Sequence, residues 1–227
     1  MDVERSFVSS SRRARTALSF LLIGALACQE TTPVDAKAFA ASAAGPEMRI
    51  TILATPGDSS IPAVREALNH WNEEFHRLGR RIRVDTGTVR PSTLSDTVLR
   101  DPVSEMMFGR GPGITRLREA LAGTPGDVII VLSRTDLISY GLPWRPATSG
   151  VLVLRRTDIP PLSSPNTVRN VLAHEFGHVL GLQHNRDSTT LMCGRPASCR
   201  PAAFASATPR FFPLTPDDER YIRRRWP

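Results

Sequence analysis

Three histidines in the second half of the sequence are spaced to bind one metal ion. His174 and His178 are four residues apart, so both imidazoles project from the same face of a helix. Zn²⁺ is the ion that best suits imidazole ligands without redox chemistry. Gly181 can end this helix with a positive φ, and the resulting turn would bring His184 back as a third ligand. A fourth position then stays open for water, as in catalytic rather than structural zinc sites.

The candidate catalytic group is the carboxylate of Glu175, which directly follows the first of these histidines. Because Glu175 is one position further along the helix than His174, its carboxylate points near the same site but not at the metal. It can therefore hold a zinc-bound water without being a ligand itself. As a general base it would take the proton of that water. The alternative is that these are ordinary core or surface histidines. Three of the chain's five histidines fall within this short segment, which argues against that alternative.

The segment resembles the metzincin clan of zinc metallopeptidases, whose motif is HExxHxxGxxH followed by a Met-turn. Ser188–Met192 is similar to the Met-turn, and the resemblance implies that Met192 forms an apolar floor under the zinc. Without that resemblance, Met192 would be read as core filler. Leu214–Glu219 and the helical residues after it resemble the last helix of matrixin-type metzincins. There the resemblance implies that Asp217 braces the residues around Met192, whereas its alternative role is to complement the helix dipole.

The hydrophobic patterns predict the elements that must position this site. Strands are predicted by alternation or by unbroken β-branched runs at 49–53, 81–86, 127–132 and 151–154. Helices are predicted over Val64–Leu78, which Gly79 ends, over a short stretch at 114–121, and over Asn166–Leu182. The rest of 88–126 is rich in proline and glycine and is expected to be loop-like. Residues 137–144 are ambiguous, and we expect a sheet edge there that could pair with an extended substrate.

This order of elements also resembles the matrixin fold. The resemblance implies an α+β, metzincin-like structure: a twisted mixed β-sheet packed on an N-terminal helix and on the zinc-binding helix, with a C-terminal helix after the Met-turn. No histidine lies between His76 and His174, so the second, structural zinc of matrixins is not expected. Calcium binding stays open, since no residue pattern indicates it or excludes it. No tyrosine closely follows Met192, so a tyrosine ligand is not expected either. The specificity pocket is expected beside the loop Gly194–Pro196.

The first 27 residues have the pattern of a signal peptide. Arg12, Arg13 and Arg15 precede an uncharged apolar run that is too short to span a bilayer, and an A-x-A cleavage site ends at Ala27. Cys28 follows directly, which favours lipidation as in a bacterial lipoprotein; the alternative is a plain signal peptide. The predicted organisation is therefore signal peptide 1–27, flexible tether 28–47 and catalytic domain 48–227.

Two cysteines remain if Cys28 carries lipid. In an oxidising compartment an even remainder favours a local disulfide between Cys193 and Cys199, and the alternative is two free cysteines in a loop.

The net charge of +7 invites a nucleic-acid hypothesis, but Lys37 is the only lysine and the chain has two tyrosines and three tryptophans. Such an arginine bias is more typical of coding bias than of phosphate recognition, and stacking platforms for bases are scarce. The sequence therefore predicts an exported zinc endopeptidase that is monomeric, acts on proteins or peptides, attaches to a membrane through lipid on Cys28 and binds no nucleic acid. The alternative is a catalytically silent, metzincin-like surface lipoprotein that binds peptides, and the intact Glu175 argues against it.

Overall fold

The computed structural model describes residues 46–144, 149–194, 206 and 208–227. The predicted signal peptide, Cys28, most of the predicted tether and Cys199 lie outside the described residues. The strands are β1 (Glu47–Met48), β2 (Ile50–Ala54), β3 (Arg83–Val84), β4 (Thr88–Pro91), β5 (Val128–Leu132), β6 (Tyr140–Trp144) and β7 (Ser149–Leu154). The helices are α1 (Ile61–Arg77), α2 (Asp96–Phe108), α3 (Gly113–Ala120), α4 (Pro165–Val179) and α5 (Pro216–Arg225).

A five-stranded mixed sheet forms the centre of the molecule, in the order β4-β2-β5-β7-β6. The first four strands are parallel, and β6 pairs antiparallel with β7 at one edge. Every residue of β5 is buried, because its unbroken apolar run is covered on both faces. The predicted strands at 49–53, 127–132 and 151–154 correspond to β2, β5 and β7. The predicted fold class, an α+β structure with a mixed sheet packed on an N-terminal helix and on the zinc-motif helix and with a C-terminal helix, is confirmed.

The two long helices cover one face of this sheet. Val64, Leu68 and Trp71 of α1 pack into the same core as Leu172 and Phe176 of α4, together with the inward side chains of β2, β5 and β7. The indole N–H of Trp71 donates to the backbone carbonyl of the residue before the first zinc-motif histidine, at 3.0 Å. This hydrogen bond and the shared core fix the position of α4 along α1.

The predicted strand at 81–86 is present but shorter than expected. Only Arg83–Val84 forms a strand, and it pairs with β1 in a separate two-stranded sheet. The Asp85 carboxylate accepts the backbone N–H groups of Ile50 at 3.0 Å and Gly87 at 2.8 Å. These bonds end the strand, and the chain then turns into β4, which becomes the other edge of the main sheet.

The loop-like expectation for most of 88–126 is wrong, although the short helix predicted at 114–121 is confirmed as α3. The stretch contains β4 and the helix α2, whose N-cap Ser95 accepts the Val98 N–H at 3.5 Å. Pro102 inside α2 removes one helical hydrogen bond, which is why the pattern argued against a helix. Packing compensates: Leu99 of α2 and Leu117 of α3 lie in a second core on the sheet face opposite α1.

The chain ends in α5, which begins with a capping box. The Thr215 hydroxyl accepts the Asp218 N–H, and the Asp218 carboxylate accepts the Thr215 N–H, so that both groups at the helix start are satisfied. Among the described residues, no helix is long and apolar enough to cross a membrane.

Candidate metal centre and active site

The three motif histidines converge on one point. His174 and His178 lie one turn apart near the end of α4, and His184 follows in the loop after it. The Nε2 atom of His184 is 3.2 Å from Nε2 of His174 and 2.9 Å from Nε2 of His178. Each ring offers one nitrogen as a metal ligand, and these three nitrogens lie within 4.8 Å of one another. The structure therefore brings together all three predicted metal ligands.

Backbone carbonyls orient the two helical imidazoles. Nδ1 of His174 lies 2.6 Å from the carbonyl oxygen of Leu191, and Nδ1 of His178 lies 2.9 Å from that of Leu182. A carbonyl can only accept, so each Nδ1 carries the proton and donates it, which leaves a lone pair on each Nε2. Two lone pairs directed at the same point favour a bound cation, and the donor set fits zinc. The sequence motif did not reveal Leu191 or Leu182, because backbone groups leave no signature in residue type.

A turn at Gly181 returns the chain to the site. Its φ is 98°, in the region that favours glycine, and the N–H of Leu182 bonds to the Gly177 carbonyl at 2.9 Å. A Cβ at this position would lie 2.2 Å from the hydroxyl oxygen of Tyr221 on α5. The predicted role of Gly181 as the stop of the helix therefore agrees with its conformation. Its close contact with α5 is a second constraint that the motif did not indicate.

Glu175 lies on α4 beside the edge strand β6. The residue is 4% exposed. A Cβ on Gly141 of β6 would lie 1.9 Å from the Glu175 carbonyl oxygen, so the strand passes directly against the helix at this residue. The sheet edge expected within 137–144 is therefore β6, and it borders the candidate catalytic glutamate. Gly141 was not singled out from the sequence, since its role depends on a contact between two distant segments.

Met192 is completely buried against the same helix. Its sulfur would lie 2.6 Å from a Cβ placed on Gly177, one residue before His178. The neighbouring Leu191 N–H donates to the carbonyl of Pro213 at 2.8 Å. The structure thus brings Met192 to the zinc-motif helix, and its role as a floor under the metal stays a prediction.

The structure does not give Asp217 the predicted bracing role. Its side chain is 81% exposed and forms an ion pair with Arg220 one turn further along α5. Asp218 is the buried carboxylate, and the atoms it holds are those of Thr215 in the capping box. The Met-turn segment is held instead through a backbone bond from Leu191.

The segment after Met192 is tied to the third histidine. Cys193 is disulfide-bonded, and its predicted partner Cys199 lies outside the described residues. Gly194 packs so closely that a Cβ there would lie 2.1 Å from Cγ of His184. The remainder of the expected pocket loop, residues 195–196, also lies outside the described residues. The position of the His184 ring therefore leaves no room for a side chain at residue 194.

Residues 123–223 match the Matrixin family of peptidases. This part of the chain is matrixin-like. The matrixin-like region contains the three histidines and Glu175, so the predicted family resemblance is confirmed. Among solved structures, archaemetzincin from Methanopyrus kandleri is similar, with a TM-score of 0.48 and 16% sequence identity over 79% of this chain and 94% of that chain. No curated protein matches the chain significantly.

Proposed function

We propose that this chain is an exported, zinc-dependent endopeptidase. The observation that carries the proposal is the convergence of three imidazole nitrogens beside a buried glutamate and the edge strand β6. His174, His178 and His184 would hold one zinc ion, as the family match and the orientation of their rings support. A structural zinc site would fill its fourth position with a protein ligand, and only three candidate ligands group here among the described residues.

Bound zinc would polarise the scissile carbonyl and lower the pKa of a water in the site to about 7. Glu175 would accept a proton from the attacking water and then donate it to the leaving amide nitrogen. Its position directly after a ligand histidine keeps the carboxylate near the reaction while leaving it out of the ligand set. The buried position limits access of bulk water to the carboxylate.

The edge strand β6 supports binding of an extended peptide. The N–H of Gly150 in β7 donates to the carbonyl of Asp127, directly before β5, at 3.0 Å. The main-chain groups of Gly150 therefore point away from β6, so Gly150 and its β6 partner Pro143 form a non-hydrogen-bonded pair. The main-chain groups of Pro143 and, two residues earlier, Gly141 then face the open edge. Proline has no N–H to offer, so we expect Gly141 to provide the main donor and acceptor for the substrate backbone.

The activity test compares Glu175→Ala with Glu73→Ala, which removes an exposed glutamate of α1. Glu175→Ala should bind zinc stoichiometrically and cleave an unfolded protein at least 100-fold more slowly, a typical loss for a general base. Glu73→Ala should match the parent. Parental cleavage by Glu175→Ala would contradict the mechanism. A parent chain that binds zinc and peptides but cleaves none of a broad peptide library would favour the silent binding module.

Export and lipidation at Cys28 are part of the proposal and rest on the sequence pattern alone. In a bacterial host, the full chain should incorporate a labelled fatty acid and enter the membrane fraction. Cys28→Ser should lose the label and leave that fraction. An unlabelled parent, or a labelled Cys28→Ser, would contradict lipidation without affecting the proposed peptidase activity.

A further inference from the structure

Four polar side chains lie at successive turns along one face of α4. Asn166, Asn170, His174 and His178 are each four residues apart, which places them in one row. The last two are the zinc ligands proposed above. Both asparagines are buried, and Asn170 is completely so. Buried amides at regular spacing require partners, and all the contacts described below go to one segment of the chain or to the helix itself.

That segment is Arg210–Pro213, called the strap, which leads into α5. The Asn170 amide nitrogen donates to the Arg210 carbonyl at 2.8 Å, and its oxygen accepts the Phe212 N–H at 3.0 Å. The Asn166 oxygen accepts the Arg210 N–H at 3.1 Å. Asn170 also donates to the Asn166 carbonyl at 2.9 Å. The asparagines therefore bind the strap backbone much as a neighbouring strand would.

The strap in turn holds the carbonyl that orients the first zinc ligand. The carbonyl of Pro213, directly after Phe212, accepts the Leu191 N–H at 2.8 Å. The carbonyl of Leu191 accepts Nδ1–H of His174 at 2.6 Å. The path from Asn170 through the strap and Leu191 returns to α4 at His174, one turn from where it began. These contacts form a closed ring, called the strap ring.

We infer that Asn170 is a positioning residue for His174, acting through the strap ring. Fixing the Leu191 carbonyl on Nδ1 holds the proton there and keeps Nε2 directed at the metal. Removal of hydrogen-bonded groups behind a ligand histidine typically lowers metal affinity 10- to 100-fold. The inference rests on the proposed zinc site, and it does not depend on which substrate is cleaved.

The test is the zinc dissociation constant of Asn170→Ala, measured by chelator competition on the full chain. We expect an affinity 10- to 100-fold weaker than that of the parent. The control is Leu68→Ala, which makes a cavity in the α1 core outside the strap ring and lowers thermal stability without touching it. It should keep parental zinc affinity. Parental affinity in Asn170→Ala, despite lower stability, would overturn the inference and leave Asn170 a structural residue.

A second readout follows the His174 ring directly. In the metal-free parent, side-chain ¹H–¹⁵N spectra should show His174 with its proton on Nδ1. In Asn170→Ala the same ring should populate both tautomers, while His178, held by Leu182 outside the strap ring, should be unchanged. A single, unaltered His174 tautomer would contradict the inference.

If Asn170→Ala does not fold, hydrogen exchange on the parent still tests the coupling. Zinc should slow exchange of the Leu191 and Phe212 amides together, since linkage through one ring is reciprocal. The Ile130 amide in the central strand reports global unfolding and serves as the reference. The inference would be overturned if zinc slowed exchange of the Leu191 amide while the Phe212 amide changed no more than the Ile130 reference. A parent that binds zinc but cleaves nothing would refute the proposed function while leaving each of these measurements interpretable.

Discussion

Each of the two candidate metal ligands on α4, His174 and His178, is oriented by the backbone carbonyl of another residue. Leu191 lies in the Met-turn and Leu182 lies beyond the helix end, yet both accept an Nδ1–H. Because only the backbone of these two residues is used, many side chains would serve equally well there. Residue type thus determines which side chains can bind the metal, whereas the course of the backbone determines how their rings are oriented.

Gly181 is subject to two separate constraints that one substitution series can separate. Gly181→Ala should cost about 1–2 kcal/mol for the positive φ alone, and more for the contact with the Tyr221 hydroxyl. It should also weaken zinc binding, because the turn places His184. In a Tyr221→Phe background the contact with the hydroxyl is removed, whereas the strain from the positive φ remains. Only part of the lost stability should therefore be recovered. Chemical denaturation and chelator competition measure the two effects. Full recovery would contradict the role of φ.

His70 should make the protein sensitive to acid. Its ring is buried on α1 and stacked on Phe211, with ring centroids 4.1 Å apart. Burial lowers its pKa to about 4, with a smaller raising effect from Glu74 and a lowering one from Arg77. An unfolded histidine has a pKa near 6.5, so between about pH 6.5 and 4 the unfolded chain binds a proton that the native state does not. Stability is therefore lost as pH falls through that window, by up to about 3 kcal/mol.

The variant that tests this is His70→Phe. The difference in unfolding free energy between pH 7.5 and pH 4.5 should be smaller in His70→Phe than in the parent, as measured by urea titration at both pH values. His76→Phe, at an exposed position of the same helix, should behave as the parent does. An equal pH dependence in parent and His70→Phe would show that His70 does not contribute.

At the scale of elements, the contact between β6 and α4 places the proposed substrate edge beside the helix that carries Glu175. In Gly141→Ala the new Cβ would overlap the Glu175 carbonyl oxygen. Because that oxygen belongs to the helix backbone, relieving the overlap requires a shift of β6 or α4 that costs free energy. We expect peptide cleavage to fall at least tenfold while zinc is still bound. Gly113→Ala is a matched control, since its Cβ would lie 2.2 Å from the Asp101 carbonyl carbon in the helix pair over the opposite sheet face. It should lower stability with little change in kcat/KM per folded molecule; equal catalytic losses would contradict the assignment of β6.

The elements that the sequence predicts well are those with a strong local pattern. The apolar run of β5 and the periodic face of α1 each specify their structure over many residues. Among the elements that the sequence analysis missed, α2 and β4 depend on long-range contacts. Pro102 disfavours a helix locally, yet α2 forms around it and packs on α3. All four residues of β4 are exposed and carry no core pattern, and they form a strand only because β2 offers a free edge.

At the scale of the whole molecule, the metal should stabilise the fold as well as serve catalysis. The three candidate ligands come together through the fold of α4 and the loop after it, so bound zinc would favour the native state over the unfolded chain. Free zinc at a thousandfold excess over its dissociation constant would add about 4 kcal/mol. A chelator should therefore lower the Tm of the parent and of His76→Ala, and leave that of His184→Ala unchanged. An equal Tm for the parent with and without chelator would contradict a structural contribution from the metal.

The sequence by itself determined the chemistry: three imidazoles, one carboxylate and a glycine turn at fixed offsets, on a helix whose apolar face must be buried. Those features are local, because spacing along a helix fixes which side chains share a face. The tertiary structure decided what surrounds them. It brought β6 against Glu175, replaced the expected brace at Asp217 with a backbone bond to Leu191, and linked the asparagines of α4 to the strap. Each of these contacts joins segments far apart in the chain and uses a backbone group on at least one side. Since every residue carries those backbone groups, no pattern of residue types could predict the contacts.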